Sequence, residues 1–162
     1  MNNAVTIRHY RESDKSAVID VLRDLFASES THYDRMRAPG EIGAAYVEDL
    51  QRESEKSRGA MLVAELDGAV VGYCTLHTHR SSEGDTDEIF YEYAHIGDFV
   101  VRSICRGNGI GTQLMQRCEE IVRNAGIKWL RLTVGAANHR GRQFYERAGF
   151  NELVLTLEKP LS

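Results

Sequence analysis

An α/β layered fold is predicted by three observations on this sequence. Some stretches alternate apolar and polar residues with period two, while others repeat apolar residues at i, i+3 and i+4. The two kinds are interleaved along the chain, and turn-forming residues separate them. With 162 residues, 42% apolar and 27% charged, the chain is read as one domain over 1–162. That length buries a sizeable core without disulfides or metals.

Val5 to His9 alternates and is read as a first strand. From Asp14 to Phe26, the residues Ala17, Val18, Val21, Leu22, Leu25 and Phe26 form a helical stripe, with Ser13 as its N-cap. A second helix is expected from about Pro39, a residue suited to a first turn, to about Arg52. Met61–Leu66 and Ala69–His77 flank Asp67-Gly68, a two-residue hairpin signal. Arg80 to Thr86 reads as loop, and Ile89–Val101, rich in β-branched and aromatic residues, as a long strand. Leu114, Met115, Cys118, Ile121 and Val122 make a helical stripe closed by Gly126. Lys128–Val134 is then a strand, His139–Ala148 a short helix closed by Gly149, and Leu153–Glu158 a last strand.

A net charge of −4 argues against nucleic acid as a partner. Charges interrupt every apolar run and the first residues lack a signal-peptide core, so no membrane role and a cytoplasmic location are expected. Cys74, Cys105 and Cys118 are odd in number and contain no CxxC pair, which reads as reduced thiols. His77 and His79 share a strand face without a complete ligand set, and no metal is expected. Glu83, Asp85, Asp87, Glu88 and Glu92 form an acidic run, either a solvated loop or a funnel for a cationic amine.

The segment Arg106-Gly107-Asn108-Gly109-Ile110-Gly111-Thr112 lies between a strand and a helix. Helix-initial amides lack intrahelical partners and sit at the positive end of the dipole, so they bind phosphate oxygens. The three glycines let the backbone approach closely, Arg106 adds a forked cation, and Thr112 a hydroxyl. The glycine spacing does not match a dinucleotide fingerprint, and the Gly-Lys-Ser/Thr of a P-loop is absent. A glycine-rich turn without a ligand is the competing reading.

Taken with a second motif, the sequence resembles the GCN5-related N-acetyltransferase (GNAT) family. That family carries Arg/Gln-x-x-Gly-x-Gly/Ala after a hydrophobic strand, matched here by Phe99-Val100-Val101, Arg106, Gly109 and Gly111. Its later Asn, aromatic-Tyr and Gly-Phe segment is matched by Asn138 and Phe144 to Phe150. The resemblance implies the GNAT (acyl-CoA N-acyltransferase) fold, a mixed, mostly antiparallel sheet with flanking helices. It implies acetyl-CoA as cosubstrate, held by Phe99, Val100, Val101, residues 106–112, Asn138 and Arg142. The implied activity is an N-acetyltransferase acting on a primary amine of a small molecule. A protein N-terminus or lysine is the alternative acceptor, and a non-catalytic acyl-CoA-binding sensor the alternative class. Dimers are common among relatives, so a homodimer is an option the resemblance carries.

The resemblance also makes Tyr145 the general acid for the departing thiolate, with packing of a helix face as the other reading. Asn138 reads equally as the N-cap of the helix from His139. A primary amine with a pKa of about 10.4 must lose a proton before it attacks. Some relatives place Glu-Asp near the end of the cofactor strand, where this chain has Gly97-Asp98. The candidates for the base are Glu92, then Asp98, then His95. Strand alternation sets Asp98 opposite Gly97, and separates Glu92 from His95, unless a bulge intervenes. His32, Tyr33 and Arg35 fall in a region that lines the acceptor pocket in relatives.

Overall fold

The computed structural model describes residues 4–81 and 89–161. Five strands, β1 (Val5–His9), β2 (Ala60–Leu66), β3 (Ala69–Arg80), β4 (Glu92–Val101) and β5 (Leu130–Leu132), form one sheet in sequential order. Asp67 and Gly68 have φ of 52° and 81°, the doubly positive turn whose twist suits a tight hairpin. The β2–β3 pairing follows from it. Neighbours from β1 to β4 run antiparallel, and only β4–β5 is parallel, which gives the mixed, mostly antiparallel sheet expected.

Four helices cover the sheet: α1 (Lys15–Glu29), α2 (Ala44–Lys56), α3 (Ile110–Asn124) and α4 (His139–Arg147). Val18, Val21, Leu22 and Phe26 of α1 and Val47 of α2 pack with Met61, Val63, Tyr73 and Val100 on one sheet face. Leu114, Met115, Cys118 and Val122 of α3 pack with Leu62, Cys74, Leu76, Ala94 and Ile96 on the other. Leu22, Leu62, Ile96 and Leu114 are fully buried or nearly so. Each such side chain contributes roughly 1.5–3 kcal/mol relative to exposure.

Several boundaries differ from expectation. Ser13 falls inside a short 3-10 turn, and Asp14 becomes the N-cap of α1. The Asp14 carboxylate accepts from Arg8 at 2.7 and 2.9 Å and from the Arg11 amide at 2.8 Å. That network claims Asp14 for the β1–α1 corner. Pro39 opens a separate 3-10 turn, and α2 begins only at Ala44. The fourth strand starts at Glu92 rather than at residue 89, and the fifth is confined to Leu130–Leu132 because only those residues pair with β4.

The largest correction concerns Leu153–Glu158, expected as a strand. Residues 151–161 belong to no strand and are exposed. Alternation supplies the side-chain pattern of a strand, but a strand also needs a hydrogen-bonded neighbour. The acidic run lies, apart from Glu92, outside the described residues. No helix among the described residues is long and apolar enough to cross a membrane.

Candidate active site

β4 and β5 stay paired only through Ile96 and Leu132. Beyond that point they part, and a cleft of about 960 Å³ opens between them. Gly97 to Val101 line it from β4, Thr133 to Gly135 from the chain after β5, and Phe144 and Tyr145 from α4. One edge of residues 97–101 therefore lacks a strand partner among the described residues. Its backbone can serve an extended ligand.

At one end of the cleft the turn into α3 is built from glycine for two different reasons. Gly107 and Gly109 have φ of 85° and 75°, a left-handed backbone that a side chain would strain. Gly111 is constrained by contact instead, since a Cβ there would stand 3.4 Å from the Phe144 ring. Gly109 O accepts from the Gln113 amide at 3.0 Å, which leaves the amides of Ile110, Gly111 and Thr112 as the spare donors of the helix start. Arg106 anchors the turn, its Nε donating to Val101 O at 2.7 Å. Arg106, Gly107, Gly109, Ile110, Gly111 and Thr112 all line the cleft, whereas Asn108 does not. Cleft, spare amides and basic Arg106 and Arg140 fit a pyrophosphate-bearing ligand.

A bulge decides what the other end presents. Cys74 pairs with Phe99 but Leu76 with Ile96, so Gly97 and Asp98 together oppose Thr75. The Asp98 amide donates to Thr75 Oγ1 at 2.9 Å. A Cβ on Gly97 would lie 2.6 Å from that same oxygen. Both residues thus turn toward the face of Tyr73 and Thr75, and simple alternation, which set them on opposite faces, fails here. A side chain at 97 would collide with Thr75, and Asp98 turns to the same face.

Asp98 is surrounded by protein yet reachable from the cleft. Burial pushes its carboxyl up to about 6, while the Tyr46 hydroxyl of α2, donating at 3.4–3.5 Å, restrains the rise. The buried Tyr73 hydroxyl on the same face has no hydrogen-bond partner among the described residues. Burial, and then the charge of Asp98, push Tyr73 above the usual phenol range.

Tyr145 comes from the opposite sheet face. Its ring packs edge-on against Phe99, Phe144 and Phe150 at centroid distances of 6.1, 5.4 and 6.0 Å. Burial pushes its hydroxyl up to about 12, so it is protonated at neutral pH. That hydroxyl has no hydrogen-bond partner among the described residues.

Four sequence candidates sit elsewhere or are engaged. Glu92 lies at the start of β4, paired with Arg80 at 2.9 Å and outside the cleft lining. Six residues of strand, roughly 20 Å at 3.3 Å each, separate it from Asp98. His95 pairs across the sheet with His77 and also lies outside the lining. Arg142 donates through Nη2 to Glu152 at 2.6 Å and lies outside the lining, whereas Arg140 lines the cleft. Asn138 lines the cleft, but its oxygen accepts from the Gly141 amide at 2.8 Å as the cap of α4, and its nitrogen donates to Glu29 of α1 at 2.9 Å. Tyr46, Thr75 and Glu29 were not singled out in the sequence. Each sits on an ordinary amphipathic element, and only packing brings it to the site.

His32, Glu29, Phe26 and Met36 of α1 and the segment after it line the cleft, whereas Tyr33 and Arg35 stack on one another outside it. Among the described residues no cluster of His, Cys, Asp and Glu could hold a metal.

Residues 20–150 match the acetyltransferase (GNAT) family. An uncharacterized N-acetyltransferase of Methanocaldococcus jannaschii is 32% identical over 124 residues, 67% of this chain and 72% of that one. For other curated relatives the aligned part covers only 42–58% of their length. Among solved structures, a variant of the BH1408 protein of Bacillus halodurans superposes with a TM-score of 0.84 at 19% identity, covering 97% of this chain and 99% of that one. An aminoglycoside N-acetyltransferase in complex with CoA superposes with a TM-score of 0.74 at 14% identity, covering 99% and 97%. At such identities the two structures speak to the fold alone.

Proposed function

Because the chain belongs to the acetyltransferase (GNAT) family and is an N-acetyltransferase, we propose that it moves an acetyl group from acetyl-CoA to the primary amine of a small molecule. The observation that carries this reading is the parting of β4 from β5 at Ile96, with the glycine turn at one end of the cleft and Asp98 at the other. Spare amides of Ile110 to Thr112, with Arg106 beside them, hold the pyrophosphate. The open edge at Phe99–Val101 binds the extended arm of the cosubstrate by main-chain hydrogen bonds.

When bound, acetyl-CoA supplies a thioester carbonyl activated for attack. Amides of the β4 edge stabilise the negative charge that builds on its oxygen. Asp98, with its carboxyl at about 6, is ionised at neutral pH and accepts a proton from the entering ammonium. The amine nitrogen then bonds the carbonyl carbon as the carbon–sulfur bond breaks. Tyr145 donates its hydroxyl proton to the departing sulfur and recovers one from solvent. The nitrogen sheds its second proton to water as the amide forms, and Asp98 releases the first to solvent.

In this reading Glu92 is a surface ion-pair residue. Asn138 sets the position of α4 against α1, and Arg142 ties α4 to the chain beyond it. The wall of Phe26, Glu29, His32 and Met36 encloses the acceptor side, which favours a small amine over a folded protein surface. The test is thiol release from acetyl-CoA across a panel of small primary amines and of peptides with free N-termini or lysines. Turnover on small amines is expected. Turnover on peptides alone would move the acceptor class, and cofactor binding without turnover on any amine would make the protein a sensor.

A further inference from the structure

A second cavity, of about 450 Å³, adjoins the cleft. Tyr46 lines it, and the hydroxyl of that residue touches Asp98, which lines the cleft. Phe26 and Met36 line both cavities, and Leu50 continues their apolar strip into the smaller one. A path therefore runs from the carboxylate of Asp98, over apolar side chains, into a separate chamber.

That chamber carries charge, and most of it is spent. Arg35 forks onto Glu158, Asp49 pairs with Arg52, and Glu53 pairs with Lys56. Arg37 also lines the chamber, and has neither ion pair nor hydrogen bond among the described residues. It is exposed, so a ligand reaches it from solvent. Its charge is felt at the site itself. Burial, then the charge and hydrogen bond of Asp98, push the Tyr46 hydroxyl above the ordinary phenol range, and Arg37 pulls it back. Asp98 is moved by burial and by Tyr46, not by Arg37. The guanidinium thus lies beyond the Tyr46 hydroxyl as seen from Asp98, too far to neutralise that carboxylate.

We propose that the acceptor is an ω-amino acid, a primary amine joined to a carboxylate through several methylenes. This rests on the reading of the cleft as the acetyl-transfer site with Asp98 facing the amine. The ammonium docks at Asp98, the methylenes lie along Phe26 and Met36, and the carboxylate accepts from the forked donors of Arg37. An α-amino acid, with one carbon between its charged groups, is too short to pass Tyr46. A diamine brings a second cation against Arg37, which disfavours it.

Steady-state kinetics with acetyl-CoA on δ-aminovalerate, the amino alcohol of the same length, cadaverine and glycine test this. Wild type should prefer δ-aminovalerate to each of the others by about tenfold or more in kcat/KM. Arg37→Gln should bring the preference over the amino alcohol to within about twofold, chiefly through a higher KM, and Arg37→Lys should keep part of it. Arg37→Glu should turn the preference toward cadaverine. Melting curves should match wild type throughout, since Arg37 lies outside the core. Equal wild-type rates on the amino acid and the amino alcohol, or a preference that survives Arg37→Gln, overturn the inference while leaving acetyl transfer at Asp98 in place. A wild-type preference for cadaverine does the same and hands the far end of the acceptor to Asp49 and Glu53. Coenzyme A binding with no turnover on any of the small amines overturns the proposed function, and this inference with it.

Discussion

The Tyr46 hydroxyl of α2 stands 3.4 Å from Oδ2 of Asp98 on β4, across an interface that no local sequence pattern announces. This contact restrains how far burial can raise the carboxyl, and therefore where the proposed base becomes active. With the carboxyl at about 6, kcat/KM should rise with pH and level off above it. Tyr46→Phe removes the restraining donor and should shift the acidic limb upward, by up to about one pH unit. A pH–rate profile that stays in place would remove Asp98 from the proton path. Asp98→Asn should lower kcat by about 10²–10⁴-fold.

Stability carries an independent sign for the same residue. The folded carboxyl titrates above its unfolded value of 3.8, so the folded state holds its proton more tightly. That contribution is fully present below pH 3.8 and is lost as pH rises through about 6. At pH 8 the buried carboxylate costs on the order of 2–3 kcal/mol, an upper figure because the cleft admits water. Asp98→Asn should thus be more heat-stable than wild type at pH 8 and little different at pH 4. Thermal melts at the two pH values decide it.

Tyr145→Phe should lower turnover by about 10²-fold while leaving coenzyme A affinity within a few-fold. Its hydroxyl bonds nothing in the protein among the described residues, so the melting temperature should barely move. Titration calorimetry beside steady-state kinetics separates the two effects. Wild-type turnover would reduce the residue to its ring contacts.

Gly109→Trp should abolish coenzyme A binding with the fold retained, because the bulk falls at the head of α3 and not in the core. Left-handed strain at that position adds roughly 1–2 kcal/mol of destabilisation. Unchanged affinity would sink the phosphate cradle.

Asn138→Ala should cost about 1 kcal/mol from the lost cap, with a further loss from the bond to Glu29. Coenzyme A affinity should change little, as both polar atoms of Asn138 are spent on α4 and α1. A large drop in affinity without loss of stability would return Asn138 to the cofactor. Glu92→Gln, at the far end of β4, should leave kcat/KM within about twofold, as expected of an exposed ion pair.

Much of the proposed donor side was legible in the sequence. The glycine turn, the Phe99–Val101 strand and the Tyr145 helix are local features, each written in contiguous residues whose backbone needs or periodicity identify them. The acceptor side was not. Alternation along β4 set Gly97 and Asp98 apart, and one extra residue opposite Thr75 reverses that. Glu92 ranked first as base from its place on the strand, and the fold sets it outside the cleft lining, paired with Arg80.

The sequence by itself determined the element order, the Asp67-Gly68 hairpin and the strand–turn–helix unit that ends in a row of unpaired amides, because these depend on backbone preferences over a few neighbouring residues. Only the tertiary structure decided which carboxylate faces the cleft, that Tyr46 tunes it, and that Leu153–Glu158 has no strand partner among the described residues. Those outcomes depend on cross-strand register, on burial and on the supply of hydrogen-bonding partners, which arise between segments far apart in the chain.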